Sequence, residues 1–170
     1  MLTATELAAR ADAVAASHDL SALRDRLIER AAPVLARAPV VPEAKALLSV
    51  DGGVCPEDGA ALEFDPWSPE SHRCPRCGRR YQGERHRRSW ARFQHLWLAE
   101  RAAHLAVLAA LGGPEEAASR SAEILSAYAA RYFDYPNQDN VLGPSRPFFS
   151  SYLESIWISN LLVAAGTLRE

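Results

Sequence analysis

Two short segments of this 170-residue chain carry the residue types that bind metal ions. Cys74-Pro75-Arg76-Cys77-Gly78 is a zinc-knuckle sequence. Two thiolates at i and i+3, in a tight turn ending in glycine, hold one ion while backbone N–H groups stabilise the sulfur charge. Cys55-Pro56-Glu57-Asp58-Gly59 has the same frame, with Asp58 where a second cysteine would stand. Together they read C-x2-D-x15-C-x2-C, the zinc-ribbon spacing with one ligand replaced. Zinc accepts a carboxylate oxygen, so Asp58 is one candidate for the fourth position. His72, two residues before Cys74, is the other, and its imidazole is the better donor. The expected set is therefore Cys55, His72, Cys74 and Cys77, with Asp58 as the alternative to His72. Four protein ligands leave no open position, which makes the ion structural and not catalytic. The competing readings are a degenerate knuckle with three free thiols and a Cys74–Cys77 disulfide. The odd count of three cysteines disfavours a framework built on disulfides alone.

Other chemistry-bearing residues have plainer readings. Arg79, Arg80, Arg85, Arg87 and Arg88, with His86 among them, form a basic run beside the knuckle. Such a run contacts nucleic acid or an anionic polysaccharide, or else simply lines a solvated face, which is the favoured reading. His95 and His104 are nine residues apart on one helix, which is not metal spacing, so they read as rim or packing residues. Trp90 and Trp97 are seven apart and share a helical face, as core residues do. Tyr128, Tyr132 and Tyr135 surround a helix end; tyrosine serves as acid or base in sugar chemistry, but packing is the favoured role. The chain has no Gly-rich phosphate loop, nucleophile elbow or H-E-x-x-H motif.

These residues sit in a chain the size of one ordinary domain. A hydrophobic fraction of 48% rules out disorder as the main state. A formal net charge of −2 argues against a histone-like, DNA-coating protein and makes nucleic acid a disfavoured partner. Lys45 is the one lysine; the other basic residues are arginines. The first residues lack a basic stretch followed by an apolar run, so no secretion signal is expected and the cytoplasm is weakly favoured. No membrane span is expected either, since Glu154 and several serines interrupt the most apolar stretch.

The elements that must position the knuckles are mostly helical. Thr3 and Glu6 have capping-box spacing, with Leu7, Ala11 and Val14 following at helical intervals. Ser21 is placed to cap a second helix carrying Leu23, Leu27, Ile28 and Leu35, which Pro33 would kink or end. Pro39 to Pro42 is a break, a short apolar piece covers Ala44 to Val50, and Asp51-Gly52-Gly53 is a turn. Residues 54 to 83 hold the cysteines, several prolines and β-like runs at Ala61–Phe64 and Arg79–Tyr81. A helix is expected from about Arg87 to Gly112-Gly113, and another from Pro114 through Phe133, giving a helical hairpin. Residues 134 to 147 read as an irregular loop and Phe148 to Leu168 as a last helix. That helix is apolar nearly all round, apart from a stripe of Ser151, Glu154, Ser155 and Ser159, and wants layers on both sides. It hints that the chain oligomerises or is one part of something larger. The expected divisions are 1–50, N-terminal helices; 51–84, a zinc-ribbon-like β insert; and 85–170, the hairpin and a further helix.

The cysteine block, with Phe64-Asp65-Pro66-Trp67-Ser68-Pro69 between its halves, resembles the N-terminal part of heparinase II/III-like polysaccharide lyases. The likeness continues through Trp90, His95-Leu96-Trp97-Leu98-Ala99, Glu123 to Tyr132 and Leu153-Glu154-Ser155-Ile156-Trp157, covering about residues 40 to 168. The resemblance implies helical hairpins of an incomplete α/α toroid with a small zinc-ribbon-like insert. It implies β-elimination of uronic-acid polysaccharides, with a tyrosine or histidine base taking the C5 proton and an asparagine-like group neutralising the carboxylate. The family's catalytic groups lie in later helices and a following β-sandwich, so no catalytic residue carries over. Substrate-side candidates are Arg146, Tyr152 and Glu154, for an acidic polysaccharide. On this reading the chain is an opening segment, completed by a C-terminal part or a partner subunit. The rival reading is a zinc-ribbon helical module that binds nucleic acid or protein through the arginine run; a blander one is a structural subunit that docks through Phe148–Leu168.

Overall fold

A computed structural model describes residues 3–47, 50–138 and 143–169. Among them are five α-helices and one two-stranded sheet. The helices are α1 (Ala4–Ala16), α2 (His18–Ala36), α3 (Glu84–Ala110), α4 (Ala117–Arg131) and α5 (Ser151–Leu168). The sheet pairs β1 (His72–Arg73) with β2 (Arg80–Tyr81), antiparallel, His72 opposite Tyr81. No helix among the described residues is long and apolar enough to cross a membrane. Residues 48–49 of the expected apolar piece and 139–142 of the expected loop lie outside the described residues.

The chain divides into two compact units, each made of separate stretches of sequence. One comprises Met1–Ala38, Leu98–Ala129 and Ile158–Glu170; the other Pro39–Trp97 and Ala130–Trp157. Helices α3 and α5 contribute residues to both.

In the first unit, α1 opens on the expected capping box. The Glu6 N–H donates to Thr3 Oγ1 (3.3 Å), and the Thr3 N–H donates to the Glu6 carboxylate (2.8 Å). The cap of α2 is Ser17 and not Ser21. Ser21 lies inside the helix, and its hydroxyl donates back to the Val14 carbonyl at 2.8 Å. Pro33 neither ends nor interrupts the helix assignment; α2 runs on to Ala36. The proline stands so near the C-terminus that little helix follows the lost hydrogen bond, and the stop comes before Pro39, whose ring disfavours a helical predecessor. Helix α3 ends in a Schellman motif, with Gly112 at φ 68°, the Gly113 N–H on the Leu108 carbonyl (2.8 Å) and the Gly112 N–H on that of Ala109 (3.3 Å). Pro114 stays in the turn, because Glu116 supplies the first helical carbonyl, to Arg120 N–H at 2.9 Å. Small residues allow close approach: Ser121 Oγ donates to the Ala102 carbonyl at 2.8 Å, both residues fully buried beside Ala99, Leu105 and Ile124.

The second unit solves a different problem. Residues 39–47 carry no regular structure, yet their carbonyls must be paired where water is excluded. Five side chains supply the donors. Gln94 Nε2 donates to Val40 O (2.8 Å), Arg131 to Val41 O (3.0 Å), the Tyr135 hydroxyl to Pro42 O, His95 Nε2 to Ala44 O (3.4 Å) and Arg88 Nε to Lys45 O (3.0 Å). Lys45 in turn is buried and donates to the carbonyls of Pro136 (3.1 Å), Gln138 (3.4 Å) and Ser145. His95 is therefore a core residue, edge-on to Tyr135 and tilted against Phe148. Phe148, expected in the last helix, is buried ahead of it. Helix α5 starts after Ser150, whose Oγ accepts the Tyr152 N–H at 3.2 Å.

Along α5 only one stripe is buried, at Trp157, Leu161 and Ala164. Tyr152, Ile156, Ile158, Leu162 and Val163 are exposed, so the expected second covering layer is absent from the described residues.

Burial holds His95 neutral, with its pKa pushed down to about 3. The unfolded chain, with an ordinary histidine, takes up a proton that the fold refuses. His95 thus contributes stability that is complete above about pH 6.5 and is lost as pH falls toward the folded value, by about 1.4 kcal/mol per pH unit. Chemical denaturation between pH 7 and 4 should show this slope, and His95→Gln should flatten it. An unchanged slope would refute the assignment.

Candidate metal centre

The two knuckles fold as copies of one turn. In the first, the Gly59 N–H donates to the Cys55 carbonyl (2.9 Å) and the Cys55 N–H to that of Ala60 (2.8 Å). In the second, the Gly78 N–H donates to the Cys74 carbonyl (3.0 Å) and the Cys74 N–H to that of Arg79 (2.8 Å). Gly59 (φ 69°) and Gly78 (φ 75°) close the two turns in the left-handed region that other residues resist. Each turn sits at the tip of a short antiparallel pairing, Val54 with Ala61 and β1 with β2. The expected β run at Ala61–Phe64 is reduced to the single bridge at Ala61, while Glu63 N–H reaches Arg73 O (2.9 Å). The turns are tied together by Arg76, which donates to the Asp58 carbonyl (3.2 Å), and by the Arg79–Glu57 ion pair.

Because the turns are equivalent, Asp58 stands in the first where Cys77 stands in the second. The ligand atoms of Cys55, Asp58, Cys74 and Cys77 all lie within 4.8 Å of one another, an arrangement that can hold a metal ion. Cys55 Sγ is 3.7 Å from Cys77 Sγ, and Cys74 Sγ is 3.4 and 3.6 Å from the two Asp58 oxygens. All three cysteines are free, so the Cys74–Cys77 disulfide is not formed. Cys55 and Cys74 are buried, Asp58 is half-buried and Cys77 is exposed.

His72, the favoured fourth ligand, is outside this group. Its Nε2 donates to the Pro69 carbonyl at 3.1 Å, and its ring lies 6.3 Å from that of His86. The repeated turn brings Asp58 to the sulfurs, while the His72 ring is hydrogen-bonded to Pro69. Burial lowers the His72 pKa and keeps the ring neutral.

The local surroundings favour the anionic form at Cys55 and Asp58 and oppose it at Cys74. Burial pushes the Cys55 thiol up, but hydrogen bonds from Tyr81 Oη (3.1 Å) and from the Glu57 and Asp58 N–H groups outweigh it, leaving the pKa below the ordinary value. The Ala60 N–H, 2.9 Å from Oδ1, holds the Asp58 carboxyl below the usual range against the opposing effect of burial. Burial raises the Cys74 thiol. Several anionic donors gathered in one half-buried place repel unless protons or a cation lie among them. Tyr81, four residues beyond Cys77 and opposite His72 in the sheet, adds its hydroxyl to the cluster, 3.1 Å from Cys55 Sγ, a contact no motif spacing signals. Its hydroxyl pKa is raised by the hydrogen bond to Cys55 and by burial, so it remains a donor.

The block between the knuckles anchors this centre to α3. Asp65 Oδ1 accepts the Trp67 N–H (2.9 Å) and Oδ2 accepts the Ser68 hydroxyl (2.7 Å), forming a tight polar turn. The Asp65 carbonyl accepts Trp90 Nε1–H at 2.7 Å. Phe64 packs between Trp90 and Phe93, and Trp67 meets Trp97 edge-on with ring centres 5.7 Å apart. Behind the second knuckle, His86 Nδ1 donates to the Gly52 carbonyl at 2.8 Å. Gly52 lies so close to α3 that a Cβ there would come within 2.4 Å of the Arg85 carbonyl.

Of the substrate-side candidates, Arg146 and Glu154 are brought together and hold each other. Glu154 accepts the Tyr132 hydroxyl (2.8 Å) and the Arg146 backbone N–H (2.7 Å). The Arg146 guanidinium donates to the carbonyls of Phe133 (3.1 Å) and Tyr135 (3.0 Å) and lies over the Tyr132 and Phe133 rings. Burial and Glu154 raise the Tyr132 pKa to about 12, so its hydroxyl stays a donor to Glu154. Tyr152 alone of the three is exposed, at 63%. In the arginine run, Arg79 pairs with Glu57, Arg87 with Glu70 and Arg88 with Glu84. Such surface pairs contribute about 0–1 kcal/mol each, and they offset part of the run's positive charge.

Comparison of the chain with protein-family models, curated proteins and solved structures finds no match.

The fourth position can be tested directly. Asp58→Ala should weaken Co2+ binding, read from thiolate-to-metal absorption, by at least the about tenfold typical of outer-shell losses. His72→Gln should leave it within about threefold. The reverse order would return His72 to the site.

Proposed function

We propose that the quartet holds one structural zinc ion, and that the chain is a scaffold segment of a heparinase II/III-like lyase acting on acidic polysaccharides. The observation that carries the zinc reading is the match between ligand spacing and a tetrahedron. With Zn–S about 2.3 Å and Zn–O about 2.0 Å, tetrahedral edges are about 3.8 Å between sulfurs and about 3.5 Å between sulfur and oxygen. The 3.7 Å Cys55–Cys77 separation and the 3.4–3.6 Å Cys74–Asp58 separations agree with both. Zinc bound there would lock the two turns into a zinc-ribbon-like insert, an arrangement too small to bury a core of its own. Structural zinc contributes about 10–16 kcal/mol in small sites, as much as the whole stability of an ordinary domain.

The lyase reading rests on the resemblance, and the way those residues are used supports it. Cys55, Cys74 and Cys77 make the candidate centre, and Phe64, Asp65 and Trp67 dock it on α3. The α3–α4 pair would be one hairpin of the toroid. Arg146, Glu154 and Tyr132 are spent on one another, so catalytic groups would come from a further part of the enzyme or a partner subunit. Tyr152 is the side chain left to meet a sugar. The paired arginines weigh against the alternative of a nucleic-acid module.

Elemental mass spectrometry should find one zinc per chain in protein prepared without chelator, and chelation should shift the tryptophan fluorescence as Trp67 and Trp90 lose their settings. Protein that folds fully without zinc overturns the staple. In affinity electrophoresis, a uronate polysaccharide should retard the chain more than a neutral glucan or DNA does. The ultraviolet absorbance of unsaturated uronic ends should stay flat. Retardation by DNA alone overturns the lyase reading, and steady product formation overturns the assignment of a scaffold role.

A further inference from the structure

We infer that Cys77 is an oxidation site, and that peroxide joins it to Cys55 as a disulfide that expels the metal. The inference rests on the zinc reading above and adds to it how the site is emptied.

Three observations carry it. Cys77 is exposed while its two partner sulfurs are buried, so an oxidant in solution meets one sulfur first. The Cys55 sulfur, on the opposite turn, lies 3.7 Å from it and is placed to attack a sulfenic acid formed there. The fourth donor is a carboxylate, which binds zinc without the softness of a thiolate, so losing two sulfurs leaves only Cys74 and Asp58.

The chemistry balances with a peroxide as the oxidant. The Cys77 thiolate attacks one peroxide oxygen; the O–O bond breaks, hydroxide leaves, and Cys77 becomes a sulfenic acid. The Cys55 thiolate then attacks the Cys77 sulfur, the S–S bond forms, and a second hydroxide leaves. Two sulfurs have lost two electrons in all, and the peroxide oxygens have gained them. Each hydroxide takes a proton from a buffer acid, leaving two waters, and the zinc ion departs. A dithiol reductant reverses the bond and restores the site.

The test uses zinc-loaded full-length protein exposed to hydrogen peroxide. Zinc release is followed with a chromogenic chelator, and the sulfur products are mapped by peptide mass spectrometry under non-reducing conditions. Expected are one zinc released per disulfide, a Cys55–Cys77 linked peptide pair, and zinc rebinding after treatment with dithiothreitol. Dimedone added with the peroxide should label Cys77 first, a readout that needs no variant. In Cys55→Ser the Cys77 sulfenic acid should persist and the dimedone adduct should increase. A Cys74–Cys77 link, first labelling at a buried sulfur, or zinc retained after complete oxidation of Cys77 overturns the inference while leaving the zinc site standing. Protein that carries no zinc before any oxidant is added overturns both.

Discussion

Unpaired carbonyls organise the larger part of this molecule's second unit. A stretch without helix or strand has no neighbour strand to accept from, so each buried C=O needs a donor from elsewhere. Here Gln94, Arg131, Tyr135, His95 and Arg88 are spent on one extended segment, and Lys45 is spent on the loop that follows Tyr135. Each donor lies far along the chain from its acceptor, so the unit holds together only when all of its pieces are present. The polar core residues that would otherwise suggest catalysis, above all His95 and Tyr135, are explained by this demand.

The knuckle region meets the same demand locally. Its two turns close on their own backbones through Gly59 and Gly78, and Asp65 folds the linker between them around its carboxylate. The centre is then fastened to α3 by aromatic contacts and one indole hydrogen bond. Local closure followed by a few apolar anchors lets a 30-residue excursion stay ordered with only two short strands.

This difference between local and distant partners decides what could be read from the sequence. The capping box at Thr3 and Glu6, the Gly112-Gly113 stop and the three-cysteine cluster all depend on spacings of a few residues, and the structure shows each of them. The helical content and the α3–α4 order follow from periodicity in the same way. Of the two candidates for the fourth position, the repeated C-P-x-x-G frame marks Asp58 as the equivalent of Cys77, and the structure gathers Asp58, not His72, with the three sulfurs. The α2 cap fell on Ser17 and not on Ser21 because a one-residue joint between helices leaves no separate loop to signal it. The five carbonyl donors had no signal at all. A glutamine on α3 and a tyrosine forty residues later become partners of one segment only after the chain has folded.

One consequence of the carbonyl network concerns covalent handling of the protein. The single lysine of the chain is Lys45, and its amine is enclosed by three carbonyl oxygens. Burial also lowers its pKa, yet the amine remains sterically shielded in the folded state. Acylating reagents, acetyl donors and ubiquitin-type conjugation modify a lysine only where its side-chain amine is accessible. On this fold the one lysine presents no such amine, and attachment through it reports loss of its contacts with the Pro136, Gln138 and Ser145 carbonyls.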